Sequence, residues 1–592
     1  MKLLTTLFLA ASTASSFAIA ETTDPLEVTV TAKRYSSSTL TTASSTSVIN
    51  REEIESARFA NTTELLESLP GIYIARRGSS TSLSSVYLRG TESNHTVILV
   101  DGVRLITKND GTADLSYLPI ESIERVEVIR GSTSNLYGAD AIGGVIQIFT
   151  TQYGNQSSIT GSLGQDKYSS FSLRNSRKVN DKLSYGFSLS KKDSDGFNVT
   201  TNENLDQDKD GFHEQSGAMN FKFSHQNIET TYAGNFWIGE NEYDNAFGVG
   251  NTDKESFRTY QHALNLRISA GNNVINGKVA SQTNRSKNYI ENDPTNDLYI
   301  DVDRLESGVT VETDFENGVM QTAGIEKVIE TTKNDKRNTK SFFYSLEKNF
   351  KDQQINAGLR HDDSSQFGDE TTYGLSYLYK INESTSVFTN YKTGISAPTF
   401  LDTDPSFGPY ANPDLKPETS KGKELGIKYQ TSGAHAEVVI FETEFENKIE
   451  NNAYWQPQNI GRATSKGWEA SSSLLFDRTE ISADYTRTIA QKADGSRLLN
   501  RPMNQIGLKL TQDLSDKTDI ALRGRWINDY LNVGSVEPVS GYSVWALSST
   551  TKYNDSLTVN AKIDNIFDKQ YEPIEGYAGK GRYLELTLSY KF

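Results

Sequence analysis

The segment Leu584-Glu585-Leu586-Thr587-Leu588-Ser589-Tyr590-Lys591-Phe592 puts Leu584, Leu586, Leu588, Tyr590 and Phe592 on one side of an extended chain and Glu585, Thr587, Ser589 and Lys591 on the other. Side chains alternate across a strand with a period of two, so one face of this strand is wholly apolar and the other polar or charged. The pattern recurs upstream. Leu183, Tyr185, Phe187 and Leu189 alternate with Ser184, Gly186, Ser188 and Ser190, and Leu557, Val559, Ala561 and Ile563 with Thr558, Asn560, Lys562 and Asp564. From about Gly154 onward, stretches of this kind are punctuated by Asn, Asp and Gly. A large soluble all-β protein and a β-barrel in lipid both produce alternation. A charge facing lipid near mid-membrane costs about 2–4 kcal/mol, so lipid requires this regularity where water only permits it.

Composition separates the two. Only 35% of the 592 residues are apolar, too few for a soluble chain with a large core, yet 29 Tyr and 26 Phe are too many for a disordered one. A membrane barrel resolves the conflict, because half of each strand is polar and lines the lumen. Residues 2–20 combine Lys2, an apolar run around Leu3–Ala11 and a small-residue end at Ala18-Ile19-Ala20, the layout of a secretory leader cleaved before Glu21. No later run approaches the roughly 18–20 apolar residues of a spanning helix, so a chain retained in a membrane crosses it with strands. The absence of cysteine excludes a disulfide framework and thiolate chemistry. A net charge of −16 argues against a nucleic-acid partner and is compatible with cation binding.

Four regions follow: the leader, 1–20; a Thr/Ser-rich mobile N-terminus, 21–47; a mixed α/β domain, 48–152; and the barrel, 153–592. In the third, Arg51-Glu52-Glu53-Ile54 and Thr63-Glu64-Leu65-Leu66 read as short capped helices, and Ser85–Arg89, Thr96–Val100 and Val126–Ile129 as strands. At roughly 20 residues per strand and connection, the fourth holds about 22 strands. A closed barrel has no free edge, so a monomer is expected.

Three segments of the α/β domain carry a family resemblance: Leu69-Pro70-Gly71 with Leu88-Arg89-Gly90, then Val100-Asp101-Gly102-Val103-Arg104, then the long run from Ile129-Arg130-Gly131 through Leu136-Tyr137-Gly138 to Gly143-Gly144-Val145-Ile146. They resemble the plug of TonB-dependent outer-membrane receptors, and Asn565–Tyr571 with the terminal strand ending in Phe592 resembles that family's last barrel strands. The resemblance implies a transmembrane barrel with the α/β plug inside its lumen, embedded among outer-membrane lipid and lipopolysaccharide. Arg89 and Arg130 are placed to pair with carboxylates of the barrel wall and seat the plug. Leu26-Glu27-Val28-Thr29-Val30-Thr31-Ala32 resembles the TonB box, a β-prone segment able to add itself as a strand to a TonB-type periplasmic partner.

Asp206-Gln207-Asp208-Lys209-Asp210-Gly211 begins like an EF-hand loop, with alternate carboxylates and a glycine for the turn. The twelfth position is Gly217 rather than a bidentate Glu, and Ala218–Ser224 alternates like a strand, so this is EF-like spacing on a barrel loop. Within the resembled family, cobalamin receptors carry calcium on two extracellular loops. The resemblance assigns Asn198, Asp208 and Asp210 to one loop of such a site and Tyr243, Asp244 and Asp253 to the next, the calcium serving to order the loops. Asn198 stands where an Asp is expected; its amide oxygen still coordinates, with one negative charge fewer. The plug loops Arg76–Ser85 and Thr107–Leu115 match segments that face the substrate, which nominates Arg77, Ser84, Ser85, Asn109, Gly111 and Thr112 as contacts. Their tips are more charged than the family pattern, and the second loop is about one residue short.

No catalytic cofactor is expected. The six histidines, 95, 213, 225, 262, 361 and 435, lack metal-ligand spacing, and Gly579-Lys580-Gly581 lacks the upstream glycine and the Ser/Thr of a phosphate loop. His95, in Ser93-Asn94-His95-Thr96, reads as a surface or hydrogen-bonded residue at a turn into a strand. The reading is therefore a receptor importing cobalamin with energy relayed through residues 26–32. A ferric-siderophore or haem receptor of the same architecture is the alternative, and a passive porin or adhesin is the alternative of another class. Val28→Pro removes a strand donor from the box; the expected outcome is loss of uptake with surface binding of cargo intact, and equal loss of binding would count against the tether.

Overall fold

The computed structural model describes residues 29–30, 37–76, 84–105, 113, 115–116, 118–150, 154–201, 207–244, 253–289, 298–404, 411–452, 454, 456–532 and 538–592. Twenty-two antiparallel strands, from Gln156–Gly164 to Tyr583–Lys591, form a closed barrel. Each pairs with its neighbours, and the first strand closes on the last with Gly161 opposite Leu588. Leu557, Val559, Ala561 and Ile563 stand opposite Tyr590, Leu588, Leu586 and Leu584, so the two apolar faces read from sequence form one continuous outer surface. Leu584, Leu586, Leu588 and Tyr590 are each about half exposed (48–50%), as side chains facing lipid must be. The inner face is polar: Asn235, Gln261, Gln282 and Ser286 are buried against neighbours within the lumen.

The two ends of the barrel differ. Tight turns at Asn180–Lys182, Gln226–Asn227 and Gly271–Asn272 join the strands at one end, while the connections after Phe197, Tyr243 and Asp564 are long. Short turns on the inner side and long loops on the outer side are the outer-membrane arrangement. Strands reach 18 residues at Asp253–Ala270, well beyond the roughly 9–11 needed to cross hydrocarbon. The surplus raises the wall above the lipid on the long-loop side. Among the described residues no helix is long and apolar enough to cross a membrane.

Inside the barrel sits the α/β plug. Its five-stranded sheet runs in the order Thr46–Asn50, Arg125–Arg130, Gly144–Phe149, Thr96–Val100, Val103–Arg104, with only Thr96–Val100 and Gly144–Phe149 parallel. Helix Arg51–Ala57 opens with a capping box between Asn50 and Glu53, and helix Thr62–Glu67 with Asn61 accepting from the Glu64 amide. Leu65, Leu66, Ile72, Ile74, Val86, Val126 and Ile146 make a dry core to which Trp237 and Phe257 of the wall also belong. The hairpin Ile72–Arg76 with Ser84–Leu88 forms a second, two-stranded sheet, whose Ile72, Ile74, Val86 and Leu88 belong to this same core.

Buried charge seats the plug. Arg89 donates from Nε (2.9 Å) and Nη2 (2.8 Å) to the two carboxylate oxygens of Glu469, and from Nη1 to Glu424; all three side chains are 4% exposed. Arg130 donates to Pro70 O (2.8 Å), Ser45 Oγ (3.1 Å) and Ser47 Oγ (2.7 Å), with Glu469 3.9 Å away. Gly71 (φ +76°) and Gly131 (φ +79°) let the wall carboxylates approach, since a Cβ would overlap Glu469 at the first and Glu424 at the second. Nearby, Glu92 forms ion pairs with Lys448 (2.8 Å) and Arg501 (2.6 Å), which lie on connections between barrel strands. Burial raises the Glu92 carboxyl, but these two cations outweigh it and hold it well below the usual range. His95 is a buried residue of this cluster rather than a surface one: its Nδ1 accepts from the Glu92 amide and its Nε2 lies 3.1 Å from Glu418.

Composition predicts a mobile N-terminus through residue 47, and the structure corrects its last part. From Thr39 to Ser45 the chain lies along the wall, where Lys428 Nζ donates to the carbonyls of Thr39 (2.9 Å), Thr42 (2.8 Å) and Ser44 (2.7 Å). Ser386 and Asn390 donate to the Leu40 and Ala43 carbonyls. The segment has no apolar periodicity because polar contacts hold it.

Glu469→Ala removes two of the three carboxylate hydrogen bonds of buried Arg89 and leaves Glu424 as its remaining partner, a change that costs up to about 3 kcal/mol. The expected outcome is faster amide exchange throughout 84–105 with the barrel's heat-modifiable gel migration unchanged.

Candidate functional site

On the outer side of the barrel, the connection between strands Leu183–Phe197 and Asp210–His225 meets the end of strand Ile228–Tyr243. This brings the carboxylates of Asp208, Asp210 and Asp244 together, with one oxygen of each lying within 4.8 Å of the others. Asp210 and Asp244 are buried, 1% and 3% exposed, and Asp208 is half-buried. Asp210 begins its strand nine residues before Met219, the first of the outward apolar residues Met219, Phe221 and Phe223. At about 3.3 Å per residue, the cluster therefore stands some 30 Å along the strand from the start of the lipid belt.

Burial and the neighbouring Asp244, Asp208 and Glu242 push the Asp210 carboxyl up to about 8, against the lowering effect of the Val199 amide that donates to its Oδ2 (2.9 Å). Such surroundings favour a neutral Asp210, and a proton or a bound cation satisfies them equally. Three oxygen donors on the outer rim suit a hard divalent cation, with further carbonyl or water oxygens completing its shell.

The other residues assigned to this site lie close in the chain but differ in disposition. Asn198 Oδ1 accepts from the Thr200 amide (2.9 Å) and its Nδ2 donates to Gln207 (3.1 Å), so this side chain is engaged within its own loop. Tyr243 and Asp253 are directly opposite in the strand ladder, which sets Asp253 at the rim beside Asp244; the Asp253 side chain lies outside the described residues. Of the proposed substrate contacts, Ser84 and Ser85 stand at the loop end of the plug hairpin ladder, paired with Arg76 and Ala75, Ser84 being fully buried. Arg77, Asn109, Gly111 and Thr112 lie outside the described residues. So do Leu26, Glu27, Val28, Thr31 and Ala32 of the N-terminal box, whereas Thr29–Val30 forms a short antiparallel pair with Ser37–Ser38.

Composition left one cluster unseen. Tyr73 and Tyr87 of the plug hairpin pack with Ile527 at the end of a wall strand and with Tyr530 and Val539 of the connection that follows it, and the Tyr73 hydroxyl donates to Pro573 O (3.0 Å). Burial raises the Tyr73 phenol well above its ordinary range, so it stays a donor at every physiological pH. Glu424 and Glu469 were likewise invisible individually, lying 335 and 380 residues from Arg89. The signal that could have marked them is a carboxylate on the inward face of an otherwise regular strand.

Comparison with known proteins adds the following. A family model for the TonB dependent receptor-like β-barrel matches residues 133–566, and one for the TonB-dependent receptor plug domain matches residues 38–145. The vitamin B12 transporter BtuB of Vibrio vulnificus (strain YJ016) is 29% identical, the alignment covering 95% of each chain. Three solved structures are similar in fold. The ferric enterobactin receptor PfeA of Pseudomonas aeruginosa (a G324V mutant) has a TM-score of 0.79 at 20% identity, covering 92% of this chain and 98% of that one. The siderophore receptor PirA of Acinetobacter baumannii has 0.80 at 18%, with the same coverage. The FrpB iron transporter of Neisseria meningitidis has 0.81 at 13%, covering 93% and 100%. At these identities the structures speak to the fold and not to the cargo.

Proposed function

The chain belongs to the TonB-dependent receptor family of the outer membrane, and from that premise we propose that its cargo is cobalamin, captured at the outer face beside a calcium-ordered pair of loops. The observation that carries this reading is the convergence of Asp208, Asp210 and Asp244 from two separate outer connections. The likeness to a vitamin B12 transporter along nearly the whole chain supports the same cargo.

Asp208, Asp210 and Asp244 would hold the ion, with Asp253 and Tyr243 beside them at the rim. A bound calcium ion supplies positive charge that offsets the mutual repulsion of these carboxylates. The rest belongs to the protein. Loops held in one arrangement lose less freedom when cargo docks, which strengthens binding without any new contact to the cargo. The plug sits within the lumen, and a cavity of about 560 Å³ beside it is lined by Leu69, Pro70 and Tyr73 of the plug and by Asp484 and Arg525 of the wall. Release inward requires the plug to move, and no phosphate-binding loop is present to drive it from within. A TonB-type partner gripping residues 26–32 as an added strand supplies that pull, and the extended pairing of Thr29–Val30 suits such a grip.

The test is equilibrium binding of cobalamin and of a ferric siderophore to the purified protein, with and without chelator. Cobalamin is expected to bind, more tightly with calcium; preferential binding of the siderophore, indifferent to chelator, would overturn the reading. Asp208→Ala combined with Asp244→Ala is expected to weaken cobalamin binding by roughly tenfold to a hundredfold at low calcium, measured by the same titration.

A further inference from the structure

The connection between the last two strands, Leu557–Asp564 and Tyr583–Lys591, touches both the acidic site and the plug hairpin. At the acidic site its contacts are to main-chain atoms. The Ala578 amide donates to Val199 O (2.8 Å), and the Thr201 amide to Gly576 O (3.0 Å), so Thr200 and Tyr577 form an antiparallel bridge. Val199 is the residue whose own amide donates to Asp210 Oδ2. The Tyr577 hydroxyl donates to the main-chain oxygen of Asp244 (3.2 Å), and Tyr577 is 5% exposed. Thus one connection is bonded to the backbone beside two of the three carboxylates, from two different loops.

Four residues earlier, the same connection meets the plug. Pro573 O accepts from the Tyr73 hydroxyl of the hairpin and from the Tyr530 hydroxyl of the connection after Ile527. Ile574 packs against the cluster containing Tyr73, Tyr87 and Tyr530, and the Tyr73 and Tyr530 rings meet edge to face at 5.6 Å. The link between the two ends is short and stiff. The Tyr577 amide donates to Ile574 O (3.0 Å), the Gly576 amide to a Glu572 carboxylate oxygen (3.0 Å), and Gly576 takes φ +82°, which closes the turn tightly. Pro573 adds a fixed φ of its own.

We propose that residues 572–578 are a strap that ties the acidic site to the plug, so that a divalent cation held by Asp208, Asp210 and Asp244 fixes the hairpin Ile72–Arg76/Ser84–Leu88 through Tyr577 and Tyr73. This rests on the cation reading above and goes beyond it: the ion orders part of the plug as well as the outer loops. Tyr577 and Tyr73 are positioning residues: they act through the strap and the hairpin and are not themselves cation ligands. Settling the carboxylates around an ion sets Val199 and Asp244, these set Ala578 and Tyr577, and the tight turn carries the constraint to Pro573. Coupling of this kind is reciprocal, so fixing the hairpin also favours the ion.

Hydrogen exchange on the full chain in detergent, with calcium or with chelator, separates the possibilities. In the wild type, calcium is expected to slow exchange at 198–201 and 207–211, and to slow it at 72–76 and 84–88 by roughly fivefold or more. Tyr577→Phe and Tyr73→Phe each delete one hydroxyl and keep the ring; either is expected to retain the calcium response of 207–211 while that of the hairpin falls below about twofold. A wild-type hairpin indifferent to calcium while the acidic loops respond overturns the strap and leaves the cation reading standing. Full hairpin response in both Phe variants also overturns it. Acidic loops indifferent to calcium in the wild type overturn the cation reading, and the strap falls with it. Gel migration of the unheated barrel verifies folding of each variant.

Discussion

Backbone amides and carbonyls inside a bilayer find no water, so every one of them must be bonded within the wall. The closure of Gln156–Gly164 onto Tyr583–Lys591 meets that requirement, and the rest of the molecule follows from it. Twenty-two strands enclose a lumen too wide for their own side chains to fill. Because the outer face takes the apolar residues, the inner face is left with Ser, Asn, Gln and charged groups. A stopper for such a lumen cannot be held by greasy contacts over most of its surface. It is held by ion pairs and hydrogen bonds, as at Arg89, Glu92 and Arg130.

The same division explains what was legible beforehand. Alternation along Leu584–Tyr590 and Leu557–Ile563 depends only on nearest neighbours in sequence, and the structure sets these runs face to face. The helix caps at Asn50 and Asn61 are equally local. Arg89 and Arg130 could be nominated because they stand within distinctive plug motifs, but their partners could not be named: Glu424 and Glu469 look like any other acid on a strand until the register of the closed barrel is known. The contacts of Thr39–Ser45 with the wall were hidden for a related reason. Thr and Ser without periodicity look the same whether their main chain is bonded to water or to Lys428.

The acidic rim was half legible. Alternate carboxylates at Asp208 and Asp210 announce a cation-like spacing within one loop, and Asp244 joins them because its strand ends next door. Nothing in the spacing reveals Tyr577, more than 300 residues downstream of that loop, since barrel closure alone makes the last connection a neighbour of the early ones. Circular order thus puts the two ends of the barrel sequence together at the outer rim, and residues 572–578 use that adjacency to reach the plug hairpin.

The row of contacts that binds Thr39 to Ser45 has a mechanical meaning. Leu40 is held by Ser386, Ala43 by Asn390, Ser44 by Lys392 and Ser45 by Glu437, with Lys428 spanning the interval. Ser386, Asn390 and Lys392 follow one another up a single strand, so tension entering from upstream of Ser37 runs along this line of anchors and not across it. Loading of that kind is shared among several anchors at once, so the start of the plug is tied to the wall by more than any one of its hydrogen bonds.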